Sequence, residues 1–144
     1  FALLGLLIMP VGGFTGIRLG LPQQGLGTLG LFVVLSIVGA AIAYRGWPAL
    51  GRVLLAYGLA ARIPVVLVML ASMLGSWGTH YDAVDPKYAA MSPIAKWLLF
   101  GLMPQLTIWI WFTIALGGLL GALTAAIVGR AGRDFPQKDA LALV

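Results

Sequence analysis

The sequence predicts an all-α polytopic transmembrane helix bundle, about four spans plus a short interfacial helix, and three observations lead there. Hydrophobic residues fill 61% of the 144 positions and charged ones only 9%, against roughly 45–50% and 25% in soluble domains. The segment from Leu26 to Tyr44 carries no charge. The polar residues collect instead in one stretch, Gly78 to Pro93, which reads as the main loop. A soluble fold of this length needs a polar shell, and nine Lys and Arg with four acidic residues cannot supply it.

Each span follows from an apolar run and its stop. The first, 1–17, holds Pro10 with Gly12 and Gly13, which predicts a kink, and ends at Arg18. The second, 26–44, closes on Tyr44, Arg45 and Trp47, an aromatic and basic interfacial stop. The third, 49–77, contains Arg52, Arg62 and Pro64. Ending it at Pro64 leaves a remainder too short for the roughly 17 residues a crossing needs, so it is read as one tilted or kinked span. The outer loop is 78–93. From Ile94 to Val128 a continuous helix measures about 50 Å at a 1.5 Å rise, too long for one ordinary crossing. Pro104 is the expected divider, because proline suits the first turn of a helix; a sharply tilted continuous helix is the main alternative. This predicts an interfacial helix at 94–103, a fourth span at 104–128 and a tail at 129–144.

Lys and Arg in short loops set orientation. Arg45 and Arg52 share a side with Arg130, Arg133 and Lys138, which predicts both termini in the cytoplasm and the polar loop outside. The chain opens on Phe1 within an apolar run, without an initiator Met, so an N-terminal flank outside this sequence is expected. The net charge is +5, but the basic residues punctuate apolar runs and form no stripe with aromatics, which argues against nucleic acid as a partner. The chain has no Cys and no Glu, so disulfides and thiolate sites are excluded.

Arg62 stands out. It lies about 15 Å deeper than Arg52 along a helix, and no span contains a carboxylate to neutralise it. An intramembrane cation is a functional hypothesis by default. Pro64 frees the Ala60 carbonyl as an acceptor beside it, and Gln105 or Thr107 is expected to face it from a neighbouring helix. The plainer reading is a snorkelling arginine in a bent helix. Gly117, Gly121, Ala125 and Gly129 recur every fourth residue, a small-residue strip for helix packing, within the chain or against a partner. In the loop, His80, Asp82 and Asp85 form a candidate site for a cation or proton handling; a solvated loop with an Asp-Pro turn is the plainer account. Their spacing matches no metal-ligand motif, and no nucleotide, zinc-protease or hydrolase motif is present.

The segments Ala61-Arg62-Ile63-Pro64-Val65, Trp77-Gly78-Thr79-His80-Tyr81-Asp82 and Pro104-Gln105-Leu106-Thr107-Ile108-Trp109 resemble uncharacterised bacterial multi-span membrane proteins over the second half of the chain. The resemblance implies a bacterial cytoplasmic-membrane protein and carries over no catalytic residue. The expected function is a non-catalytic accessory or structural subunit of a membrane complex, or a homo-oligomer, with membrane lipid and other subunits or itself as partners and no assigned cofactor. The alternatives are a transporter or channel for a small anionic solute using Arg62, and an interfacial lipid-acting enzyme using His80, Asp82 and Asp85.

Overall fold

The computed structural model describes residues 1–22 and 25–131. Among them every regular element is helical. Helix α1 is Ala2–Arg18, α2 is Leu26–Gly46 and α3 is Pro48–Gly75. Local chemistry explains their boundaries. Past α1 the chain turns at Gly20, whose φ of 100° suits a residue without a Cβ, and the Thr28 hydroxyl, buried at the start of α2, donates back to the Pro22 carbonyl. One residue, Trp47, separates α2 from α3, and Pro48 then opens α3 where its missing N–H is no loss. Pro64 lies inside α3 without ending it, as the length argument requires. The helix stops at Ser76, which takes a left-handed conformation.

The fourth apolar run departs from expectation. In place of an interfacial helix at 94–103 and a new span from Pro104, the structure has a helical run of 37 residues, Pro93–Gly129. It takes in α4 (Pro93–Lys96), a π-helical turn (Trp97–Leu102), α5 (Met103–Leu106) and all but the last two residues of α6 (Ile108–Ala131). Its regularity fails at Thr107, with φ −116° and ψ −67°, three residues after Pro104. The proline itself sits in the first turn of α5. The clash its ring would make with the carbonyl four residues earlier falls within the widened turn just before it, and wide turns of this kind interrupt helices at specific sites.

Three helical segments, α2, α3 and Pro93–Gly129, are long and apolar enough to cross a membrane, which fits an integral membrane protein; α1, with 17 residues, falls just short of that length. The packing is ordered as lipid requires. Ser36, Ser72 and Ala115 are fully buried and Gly5, Gly13, Gly16, Gly39 and Thr28 join them inside beside a few large side chains, while Leu3, Leu4, Val11, Phe14 and Val34 stand more than half exposed. Lipid tails are as apolar as leucine, so large side chains gain nothing by turning inward, and small residues that let backbones approach are found at the contacts.

Helix α6 is the hub, packing on α1, α2 and α3. At its centre the Trp111 indole N–H donates to the Gly5 carbonyl at 2.7 Å. Met9, Ala43, Ile110, Ile114 and Ala115 complete the buried cluster around it. Helices α2 and α3 splay apart beyond Trp47, leaving a lipid-open cleft of about 240 Å³ whose lining includes Ser36, Tyr44, Leu55, Thr107 and Ile110.

Candidate functional site

Helices α3 and α6 run antiparallel in a regular register. The Leu50 side chain fills the space over Gly121, Leu54 fills that over Gly117, and Ile110 and Thr113 cover Gly58. Each step of four along α3 thus matches a step of four back along α6, and one more step sets Arg62 against Trp109. The strip of small residues therefore divides. Gly117 and Gly121 seat α3 side chains, whereas Ala125 and Gly129 lie beyond the start of α3 and are exposed. Gly117→Leu should displace the Leu54 side chain and press α3 away from α6, at about 1–3 kcal/mol, the range of core overpacking. Ala125→Leu should change stability by less than about 0.5 kcal/mol. Reversible unfolding in detergent micelles, followed by tryptophan fluorescence, would compare them.

Arg62 stands at the midpoint of the 28-residue α3, about 20 Å from either end at a 1.5 Å rise. It is half-buried. One guanidinium nitrogen, Nη1, donates to Gln105 Oε1 at 3.4 Å, and the group lies over the Trp109 ring, 4.5 Å from its centroid. Its Nε is buried with no hydrogen-bond partner among the described residues. Gln105 Nε2 in turn rests against Met69 Sδ at 4.0 Å. The site is therefore a cation held by one long neutral hydrogen bond and a π face. No carboxylate occurs in any described helix that could face it.

Gln105 meets Arg62. Thr107 does not: its hydroxyl donates to the Met103 carbonyl at 2.7 Å, and it lines the α2–α3 cleft instead. The hydrogen bond of Arg62 goes to Gln105 rather than to the Ala60 carbonyl that Pro64 was expected to free. Trp109 was missed as a partner of Arg62, although the antiparallel step of four, once anchored on Gly117 and Gly121, leads directly to it. Trp97, in the π-helical turn, donates its indole N–H to the Val66 carbonyl at 2.9 Å and so fastens that turn to α3 one helical turn from Arg62.

Outside the guanidinium, α3 and α6 enclose a lipid-open groove of about 310 Å³, lined by Arg62 and Trp109 together with Tyr57, Leu54, Gly117 and Leu120 among others. Tyr57 and Leu120 are 66% and 54% exposed, so the walls are not closed by the chain itself.

The loop cluster is otherwise engaged. Asp82 accepts from the backbone N–H groups of Gly78 (2.9 Å) and Thr79 (2.6 Å) and from the Thr79 hydroxyl. Thr79 also bonds the fully buried Ser72 hydroxyl at 3.0 Å, tying the loop to the end of α3. Asp85 caps the short helical turn Pro86–Tyr88 by accepting from the Lys87 N–H, and pairs with the Lys87 ammonium at 3.2 Å. His80 is exposed and stacks on Tyr81 with ring centroids 3.9 Å apart. Among the described residues no three His, Asp or Glu side chains gather as a metal-holding group. Both carboxylates serve the loop backbone, which leaves His80 without a positioned carboxylate as acid–base partner.

The Asp82 carboxyl is held below its ordinary value, foremost by the Gly78 N–H. A depressed carboxyl contributes stability that is present above the unfolded pKa near 3.8 and lost as pH falls through the lower folded value. Loop order, read from tryptophan fluorescence, should therefore weaken as pH falls below 3.8; Asp82→Asn should shrink that acid transition, the remainder belonging to Asp85, which Lys87 also holds low. Comparison with protein-family models, with curated proteins and with solved structures finds no match.

Proposed function

We propose that this chain is a non-catalytic subunit of a heteromeric membrane assembly, spanning the bilayer four times with α1 as the fourth crossing. The observation that carries this reading is the state of Arg62, a cation at mid-helix depth with one neutral acceptor, a buried Nε without a partner, and an open groove beside it. Charges at this depth are otherwise paired or in water. Catalysis is disfavoured, because an arginine does not titrate in the useful range and the loop carboxylates are spent on backbone amides.

Orientation follows from the ends of the bundle. Phe1 packs against Gly46, and Trp47 and Leu50 lie against Gly121, so the chain start, Arg45, Arg52 and the end of α6 share one end. Arg18 and the 76–92 loop occupy the other. The positive-inside bias supports the first end as cytoplasmic in a bacterial inner membrane. A tag after Val144 protected from an external reagent supports this; labelling from outside overturns it.

The assembly reading is tested by extracting the protein gently from its native membrane and weighing what remains together. Companion proteins at fixed stoichiometry are expected, and a homo-oligomer alone would sink the proposal. One observation favours a second reading as a carrier of small anions: the helix irregularity at Thr107 lies two residues from Gln105, and interrupted helices commonly frame ion and substrate sites. Anion flux in reconstituted vesicles, abolished by Arg62→Ala, would favour the carrier; no flux with any anion tried would remove it.

A further inference from the structure

Resting on the subunit reading above, we infer that the α3–α6 groove receives a transmembrane helix of a different protein, and that this helix carries a carboxylate at mid-bilayer depth which pairs with Arg62. The occupant follows from charge and depth. The described helices hold no Asp or Glu, and the acidic residues among the described ones, Asp82 and Asp85, lie in the 76–92 loop, so the described spans of a second copy offer no carboxylate at this depth. The sequence-nearest of them, Asp82, is beyond the end of α3 and committed to the loop backbone. A two-fold dimer through this face would also bring two Arg62 cations together without an anion between them.

Lipid headgroups are out of range as well. With Arg62 about 20 Å from each end of α3, and the hydrocarbon core about 30 Å thick, the edge of the hydrocarbon lies roughly 15 Å away and the phosphates farther still, beyond the reach of an arginine side chain. A helix laid in the groove meets the requirement at the right depth. Its side chains can enter between α3 and α6, with Tyr57 and Leu120 flanking the line of approach. The carboxylate then meets the accessible part of the half-buried Arg62 guanidinium, whose one hydrogen bond within the chain is the long one to Gln105.

The test uses the full chain in phosphatidylcholine vesicles with synthetic polyleucine transmembrane peptides bearing a single central Asp, a central Asn, no polar residue, or an Asp placed near one end. Association is read by energy transfer between labels on chain and peptide. The central-Asp peptide should associate roughly tenfold more tightly than the others. Arg62→Leu should erase the difference, Arg62→Lys should keep part of it, and Arg52→Leu, which removes a cation at the start of α3, should leave it intact. Unchanged helical content in each variant establishes that the fold survives. Equal binding of all four peptides, or an undiminished preference in Arg62→Leu, overturns the inference. So does displacement of the Asp peptide by inorganic phosphate or chloride, which would assign the groove to a free anion. Failure here leaves the composition of the native assembly unaltered, so it is distinguishable from failure of the subunit reading.

Discussion

Gly39→Val is expected to be among the most damaging single substitutions in the bundle. A Cβ at Gly39 would stand 2.5 Å from the Trp111 indole nitrogen, 2.6 Å from the Gly5 carbonyl oxygen and 2.7 Å from Ile8. The first two are partners in the 2.7 Å hydrogen bond that joins α6 to α1, and one of them is backbone. Neither can yield without parting helices. The valine must separate α2 from both neighbours, at a cost of about 3 kcal/mol or more, the upper range for overpacked cores. Gly30→Val on the same helix is the control, because a Cβ there meets nothing within 4 Å; a change below about 0.5 kcal/mol is expected. Denaturant unfolding in micelles, with loss of the Trp111 near-ultraviolet signal as the readout, compares the pair. Similar losses in both would mean that the Gly5–Gly39–Trp111 contact does not organise the fold.

That contact was invisible in the sequence for a physical reason. Gly30 and Gly39 lie on one helix in similar aliphatic surroundings, and only the neighbour that faces each distinguishes them. Helix existence was legible because lipid imposes it: long charge-free runs and the Tyr44-Arg45-Gly46-Trp47 stop each have one economical reading. Pro104 misled because proline marks the first turn of a helix without fixing where the preceding helix ends; the regularity fails at Thr107 instead. For the site, Arg62 was legible as a charge without a partner in the spans. Trp109 became visible only once the α3–α6 register was known, since a cation over a ring leaves no spacing signal in the sequence. Asp82 and Asp85 suggested chemistry by proximity alone, and the structure spends them on nearby amides.

Arg62→Leu carries the second large effect, and its two readouts should diverge. In the isolated chain the substitution removes a long hydrogen bond, worth about 0.6 kcal/mol on average within membranes, and a cation–π contact of about 0.5–2 kcal/mol. It also relieves a buried donor without a partner, a burden of about 1–3 kcal/mol. These nearly cancel, so stability should move by less than about 1 kcal/mol. In the native membrane the same change removes the charge that the neighbouring helix is proposed to meet. Breaking one side of a buried pair costs about 3–5 kcal/mol, enough to lower association more than a hundredfold.

The decisive measurement is therefore a paired one on Arg62→Leu: unfolding of the purified chain in micelles beside the mass of the assembly gently extracted from native membrane. Near-unchanged stability with loss of the companion proteins is the predicted result. A chain destabilised by about 3 kcal/mol that still assembles would contradict the account, and would make Arg62 a residue that serves only its own helices.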